Sequence, residues 1–251
     1  MAARVATRPA TSTAARGALQ AAGQRVWLFD LDDTLHDAGT ASMPQLIEAM
    51  TAYVAEHAGV SSAEATSLRR SYWLKYGATL LGLVRHHGVK PAHFLHQTHV
   101  LPGLEARVRT DAADLRALAR LPGRKFILTN APLGYAQRVL GVLGIEHLFD
   151  GLLSIEDMQM FGQLRPKPDK RMLRHVAARL KVAPSRCTLV EDTLVHQKAA
   201  RCLGMQTVWM QRWLPDSMGR HRALKPAYVD RRVHTISALL KRGVGASQTS
   251  Y

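Results

Sequence analysis

The sequence predicts a doubly wound α/β protein in which a run of helices is inserted after the first strand of a parallel sheet. Three observations carry that prediction. Short apolar runs, most of them ending in a polar or acidic residue, recur along the chain. Helical patterns stand between them. One long interval, residues 41–109, holds helical patterns alone.

The apolar runs are "VWLFD" (26–30), "KFILTN" (125–130), "CTLVED" (187–192) and "QTVWM" (206–210). Continuous runs of this kind suit strands buried on both faces of a parallel sheet. "GYAQRVLGVLG" sets Tyr135, Val139, Leu140 and Leu143 on one helical face, with Gly144 placed to stop the helix. "LVHQKAARCLGM" repeats the pattern with Leu194, Ala200 and Leu203 ahead of Gly204. Strands alternating with helices imply right-handed crossovers. Within the interval 41–109, Leu46, Ile47, Met50, Val54 and His57 form a helical stripe, and Ser42 is an N-cap candidate before Pro44. Ser61 and Glu64 then stand in capping-box spacing, and Tyr72, Leu80 and Leu83 continue an apolar stripe. The expected plan is a discontinuous core (24–40 and 110–240), a helical insertion (41–109), a disordered basic arm (1–23) and a flexible tail (241–251).

The chain's 251 residues, 47% hydrophobic and 21% charged, suffice for one good core plus the insertion. No apolar run approaches the roughly eighteen residues that span a bilayer, so no membrane partner is expected. Two cysteines, Cys187 and Cys202, cannot build a disulfide framework; both are expected in packed positions, in a reducing, cytoplasmic setting. The net charge of +15 raises nucleic-acid binding as a function. Its distribution argues against that. The arginines of the first 25 residues lie in an Ala- and Thr-rich stretch that also resembles an organelle transit peptide, a likeness that Ala- and Arg-rich composition produces by itself. No apolar segment follows to make a secretory signal. The basic residues of 212–242 lack interleaved aromatic platforms. The charge reads as a solvated basic surface that draws anionic substrates, and nucleic acid is not the expected partner.

Ligands of open α/β sheets bind beyond the carboxyl ends of the strands. That rule gathers Asp30 and Asp32, Thr129 and Asn130, and Glu191 and Asp192 at one place. The Pro-stiffened "RPKPDK" would hold Lys167 at its rim. Carboxylates so crowded need a divalent cation, and an oxygen-rich site favours Mg²⁺. A carboxylate such as Asp30 can attack phosphorus, and Asp32, two residues on, can hand a proton to the leaving oxygen. Lys167, the Thr129 hydroxyl and backbone N–H groups can meet the charge on the phosphoryl oxygens. Asp33 and Asp37 read as turn formers.

"DLDDT" (30–34), "LTN" (128–130), Lys167 in "RPKPD" and "VEDT" (190–193) resemble, in order, the four motifs of the haloacid dehalogenase-like hydrolase superfamily, over a stretch from residue 26 to about 210. The resemblance implies a Rossmann-like core with the helical insertion as a cap that closes over the site. It implies Asp30 as nucleophile, Asp32 as general acid and base, and Thr129, Asn130 and Lys167 as the phosphate-binding set. Mg²⁺ would be held by Asp30, the backbone carbonyl of Asp32, and Asp192. The presence of Asp32 argues for phosphate chemistry, because attack on a carbon–halogen bond has no use for an acid there. "DLDDTLHDA", "YWLKYGATLLGLV" and "FGQLRPKP" further resemble the pyrimidine 5′-nucleotidase branch. One position departs: where relatives commonly carry Asp or Asn four residues after the fourth-motif aspartate, this chain has His196, which is expected to weaken the hold on Mg²⁺ or make it pH-sensitive. Glu191 is either a further metal ligand or a strand-end charge. Tyr76, Gly77 and Arg85 are candidates for substrate contact from the cap, where His86 and His87 also lie.

The function expected from sequence is therefore a Mg²⁺-dependent phosphomonoester hydrolase, working through an aspartyl phosphate on a nucleoside 5′-monophosphate, as a monomer or homodimer. Two alternatives use the same residues: a phosphatase for another small metabolite such as phosphoglycolate or a sugar phosphate, and a phosphomutase-like transfer. From another class, a basic nucleic-acid-binding or scaffold protein that has kept the fold remains the competing expectation.

Overall fold

A computed structural model of the chain describes residues 25–214 and 224–241. In chain order the strands are β1 (Val26–Phe29), β2 (Arg124–Leu128), β3 (Gly151–Leu153), β4 (Gln159–Met160), β5 (Gln163–Leu164), β6 (Cys187–Glu191), β7 (Gln206–Met210) and β8 (Arg231–Val233). Six form one parallel sheet in the order β3-β2-β1-β6-β7-β8, while β4 and β5 make a small antiparallel hairpin. The order runs outward from β1 in both directions. That creates the switch point at which doubly wound sheets place their ligands, between β1 and its two neighbours.

Register fixes what meets there. Phe29 stands opposite Ile127 of β2 and Val190 of β6, so Asp30 emerges level with the ends of both neighbours. Its backbone N–H still donates to Val190 O at 2.9 Å, which holds the first residue beyond β1 to the sheet. Side chains of β1 alternate between two cores, as a period of two requires. Trp27 and Phe29 pack with Ile127, Val190 and Val208 on one face; Val26 and Leu28 pack with Phe126, Leu128 and Leu189 on the other. Covering helices on both faces explain why the sequence shows continuous apolar runs there rather than alternation.

Between β1 and β2 the chain is helical, as expected: α1 (Ala38–Ala41), α2 (Met43–Ala58), α3 (Ser62–Tyr76), α4 (Thr79–His87), α5 (Pro91–Thr98), α6 (Leu104–Arg107) and α7 (Ala112–Arg120). The Ser61–Glu64 capping box is formed in full at the start of α3. Helices α2 to α5 gather a third apolar cluster around Tyr53, Val54, Tyr72, Leu83 and Phe94, and Ile155 and Leu164 join it from outside the insertion. Three more helices follow: α8 (Leu133–Leu143), α9 (Lys170–Arg179) and α10 (Leu194–Arg201). Gly144 ends α8 in the left-handed conformation at φ 66°, where its N–H bonds to Leu140 O.

Several expectations are corrected. β3 and β8 are three-residue edge strands whose sequences, "GLL" and "RRV", offer no apolar run to notice. Helix α10 stops at Arg201, and its buried face is Gln197, Ala199 and Ala200, with Leu194 and Leu203 only half-buried. Ile47, placed on the core stripe of α2, is 44% exposed. Ser42 does precede α2, but its hydroxyl makes no capping bond. Cys187 is buried as expected, whereas Cys202 is exposed. The arm at 1–23 and the tail beyond Lys241 lie outside the described residues. Among the described residues, no helix is long and apolar enough to cross a membrane.

Candidate active site

The strand ends deliver their side chains to one cavity of about 380 Å³, whose lining includes Asp30, Asp32, Thr129, Asn130, Lys167 and His196. Lys167 is the hub. Its Nζ lies 2.8 Å from Asp30 Oδ1 and 2.7 Å from Glu191 Oε2, with the lysine side chain only 1% exposed. It therefore sits among the carboxylates rather than at the rim where sequence reasoning put it. The residue that fixes it there is Asn130. The Asn130 amide brackets the Lys167 backbone, donating from Nδ2 to Lys167 O at 3.0 Å and accepting at Oδ1 from Lys167 N at 2.9 Å. Both ends of that amide are thus engaged with the lysine's own backbone.

The charge pattern follows from burial and from who is paired with whom. Burial alone would lower the Lys167 ammonium, but Asp30 and Glu191 outweigh it and push its pKa up, so the lysine stays charged. Burial would raise Glu191, yet Lys167 and His196 hold its carboxyl well below the usual range. His196 Nδ1 stands 3.1 Å from Glu191 Oε2, and Thr193 N donates to Glu191 Oε1 at 3.2 Å. Asp30 is driven the other way, well above the ordinary carboxylate range, by burial and then by the charge of Glu191, against the pull of Lys167. Asp192 is raised likewise, by burial, Glu191 and Asp30. Asp30, Glu191 and Asp192 each place a carboxylate oxygen within 4.8 Å of the others. The donor set is all oxygen and carries more negative charge than Lys167 balances, which is what a hard divalent cation such as Mg²⁺ fits.

Asp32 is held differently. Tyr135 OH donates to its Oδ1 at 2.6 Å, and His36 Nε2 lies 2.9 Å from the same oxygen. Burial would raise this carboxyl; hydrogen bonding and charge from His36, with Tyr135, outweigh it and lower it. Tyr135 OH is also 2.9 Å from Ser42 Oγ, so the phenol links α8, the carboxylate and the start of α2. Thr129, 1% exposed, accepts at Oγ1 from Ala131 N at 3.0 Å, which leaves its hydroxyl proton free to donate. Asp33 and Asp37 shape the turn: Asp33 adopts φ 52° and accepts from Gly39 N at 2.9 Å, and Asp37 accepts from Thr40 N at 3.1 Å. Burial pushes the Asp33 carboxyl up to about 6.

The residues named in the inserted helices divide. Gly77 lines the cavity, but as the left-handed residue (φ 83°) that ends α3; a Cβ there would stand 3.0 Å from Pro168 Cδ. Its role in the structure is to let the insertion approach the Lys167 loop. Tyr76 and Arg85 line a different cleft, with Leu81, Val84, Gln163 and Leu164. Tyr76 OH is 2.6 Å from His86 Nε2, and Tyr72 OH is 2.8 Å from His87 Nε2, so these histidines serve contacts within the insertion. Sequence reasoning missed His36 as a partner of Asp32 and gave Tyr135 only a packing role. A tyrosine on a core face was the available signal, since a buried phenol needs a hydrogen-bond partner.

Sheet order and strand-end centre together define a Rossmann-like α/β protein with carboxylates and a buried lysine gathered at its strand ends. Its sequence belongs to the haloacid dehalogenase-like hydrolases, whose family profile matches residues 25–204. Phosphate metabolism protein 8 of Saccharomyces cerevisiae is 24% identical over 196 residues, 72% of this chain; the chain spans 60% of that relative's length. Among solved structures, CbbY from Rhodobacter sphaeroides in complex with phosphate is similar at a TM-score of 0.58 and 17% identity, covering 86% of this chain and 96% of that one. The HAD phosphatase from Thermococcus onnurineus is similar at 0.56 and 19% identity, over 86% and 95%. L-2-haloacid dehalogenase from Xanthobacter autotrophicus is similar at 0.53 and 16%, over 86% and 96%. At these identities the structural likenesses establish the fold.

Proposed function

We propose that this hydrolase is a Mg²⁺-dependent phosphomonoesterase that works through an aspartyl phosphate on Asp30 and takes nucleoside 5′-monophosphates, pyrimidine ones foremost. The observation that carries the reading is the unequal neutralisation of three neighbouring carboxylates. Glu191 is matched by Lys167 and His196, while burial and like charge raise Asp30, against the pull of Lys167, and raise Asp192 as well, so these two carboxylates ionise fully only with further positive charge beside them. Asp30, Asp192 and the backbone carbonyl of Asp32 are then the ligands for Mg²⁺, and Glu191 supports the lysine from behind. When bound, the ion neutralises the carboxylates and lets an anionic phosphate approach them. His196 belongs to this support rather than to the metal.

The chain's own groups divide the chemistry. Asp30 attacks phosphorus, forming an Oδ–P bond as the P–O bond to the leaving group breaks. Lys167 and Thr129 meet the phosphoryl oxygens with fixed donors in a site largely shut from water. With Tyr135 and His36 both on Oδ1, Asp32 presents its other oxygen for proton transfer, first to the leaving alkoxide and then from the water that cleaves the acyl phosphate. That water releases inorganic phosphate and restores Asp30. Residues 41–109 act as the cap that excludes bulk water during these steps. The presence of Asp32 supports the choice of phosphate over halide chemistry. The two unpaired cysteines support a reducing, cytoplasmic setting.

Asp30→Asn should abolish hydrolysis of p-nitrophenyl phosphate, and EDTA should do the same to the wild type until Mg²⁺ is restored. Turnover surviving either treatment would overturn the mechanism. A panel of phosphorylated metabolites assayed with Mg²⁺ tests the nucleotide assignment separately, and preference for phosphoglycolate or a sugar phosphate would replace it.

A further inference from the structure

The side of the cavity formed by the inserted helices is mostly apolar, with Met43, Leu46 and Met50 from α2 and Phe94 and Leu95 from α5. Arg69 of α3 brings a charged side chain into that wall. Its Nε is buried without a hydrogen-bond partner, and no described residue forms an ion pair with its guanidinium. Nearby polar groups are already engaged or uncharged. Thr79 Oγ1 donates to Arg69 O at 3.1 Å. His99 has Nδ1 3.0 Å from Leu95 O, and burial drives its pKa down to about 4, so the ring is neutral at physiological pH. An Nε–H donor withdrawn from water carries a desolvation cost until some acceptor meets it. Among the described residues none does, and Arg69 is part of the cavity lining.

We propose that Arg69 selects the leaving group, donating to a carbonyl oxygen at the far end of a flat, largely apolar alcohol whose phosphate lies at Asp30 and Lys167. The inference rests on the phosphomonoesterase reading and deepens it: the group in the cavity is the base of a nucleoside 5′-monophosphate. Trp73, 52% exposed and part of the same lining, supplies an aromatic face for the ring. Cavities of a few hundred Å³ with an apolar wall and a few convergent polar groups are typical of small-molecule sites. Discrimination follows from the donor. A substrate lacking the carbonyl leaves the guanidinium donor without its acceptor, and such sites reject the truncated analogue far more strongly than an apolar pocket rejects a shorter chain.

The test is a selectivity ratio with Mg²⁺ present: kcat/KM for uridine 5′-monophosphate over that for ribose 5-phosphate, which lacks the base, with p-nitrophenyl phosphate as a third substrate. Wild type should favour the nucleotide. Arg69→Met should reduce that preference by about tenfold to hundredfold, chiefly through KM, as expected for losing one charged hydrogen bond. Arg69→Lys should restore part of it. Circular dichroism and thermal melts check that each variant folds, and Arg69→Gln, which keeps donors without charge, extends the series if Arg69→Met does not. Equal losses on all three substrates, or an unchanged ratio in a folded variant, would overturn the proposal. So would a wild type that turns over p-nitrophenyl phosphate without preferring the nucleotide, which leaves the phosphatase reading standing. Failure of the wild type on all three substrates would overturn that parent reading and this inference together.

Discussion

Asp30 and Asp32 lie two residues apart yet are prepared in opposite ways. Asp30 faces like charges and is pushed up; Asp32 is clasped by a phenol and an imidazole and pulled down. The motif names which acids to expect at the site, but not this difference, because both clasping residues come from outside its core letters. His36 stands four positions on and Tyr135 arrives from α8. Asn130 is a similar case: its type and place were visible, while its grip on the Lys167 backbone depended on a fold not yet seen. One consequence concerns His99, whose ring lies edge-on to Tyr135 at 5.9 Å between centroids. Burial lowers its pKa to about 4 from an ordinary 6.5. Between those values the unfolded chain binds the proton more readily, so the stability this neutral histidine contributes is complete above pH 6.5 and declines as pH falls toward 4. The slope is at most about 1.4 kcal/mol per pH unit. Replacing the titrating ring should flatten that dependence. Urea unfolding at pH 7.0 and pH 5.0 should show a smaller loss for His99→Phe than for wild type; equal losses would exclude His99 as the source.

At the scale of elements, what the sequence made legible is what local chemistry decides. The Ser61–Glu64 box, the Gly144 stop and the four long apolar strands are set within a few residues of sequence, and the structure has them. β3 and β8 are set instead by long-range pairing: three residues each, one strand beginning with a glycine and the other with two arginines, recruited because β2 and β7 have open edges beside them. No local pattern announces such a strand. The division of Gly77 from Tyr76 and Arg85 has the same origin, since which cleft a helix end faces depends on how α3 packs against its neighbours. That packing rests on Gly82 of α4, where an added Cβ would fall 2.1 Å from Tyr72 Cγ and 2.5 Å from Tyr72 Cβ. Neither atom is the free end of a flexible chain, so α3 and α4 must separate to admit a methyl group. Gly82→Ala should cost about 1–3 kcal/mol of stability. It should also raise KM for the nucleotide, because Arg69 and Trp73 ride on α3. A melting temperature matching wild type would show that the two helices are not held by that contact.

For the molecule as a whole, the sheet order and the carboxylate centre express one arrangement. Placing β1 centrally, between β2 and β6, puts Asp30 where the ends of three strands converge, and a parallel sheet leaves all of those ends on one side. The sequence as a whole carries an excess of positive charge, +15, which raises nucleic acid as a partner, yet its strand-end centre is locally acidic. A net positive charge favours the approach of phosphates. On the proposed reading, Mg²⁺ binding is a stability effect as well as a catalytic one. A ligand present at a hundred times its Kd stabilises the native state by about 2.7 kcal/mol. In a chain of this size that corresponds to a rise of roughly 5–10 °C in Tm. Asp192→Asn separates the cation's contribution from simple damage to the fold. Because burial and like charges raise the Asp192 carboxyl, its ionised form opposes folding above its pKa. Removing that charge should leave the metal-free protein at least as stable as wild type, while the rise on adding Mg²⁺ should disappear. Thermal melts of both proteins at pH 7.5, with EDTA and with Mg²⁺, give the comparison. A variant that melts lower without metal and still gains the full increment with it would place the cation elsewhere than at Asp30 and Asp192.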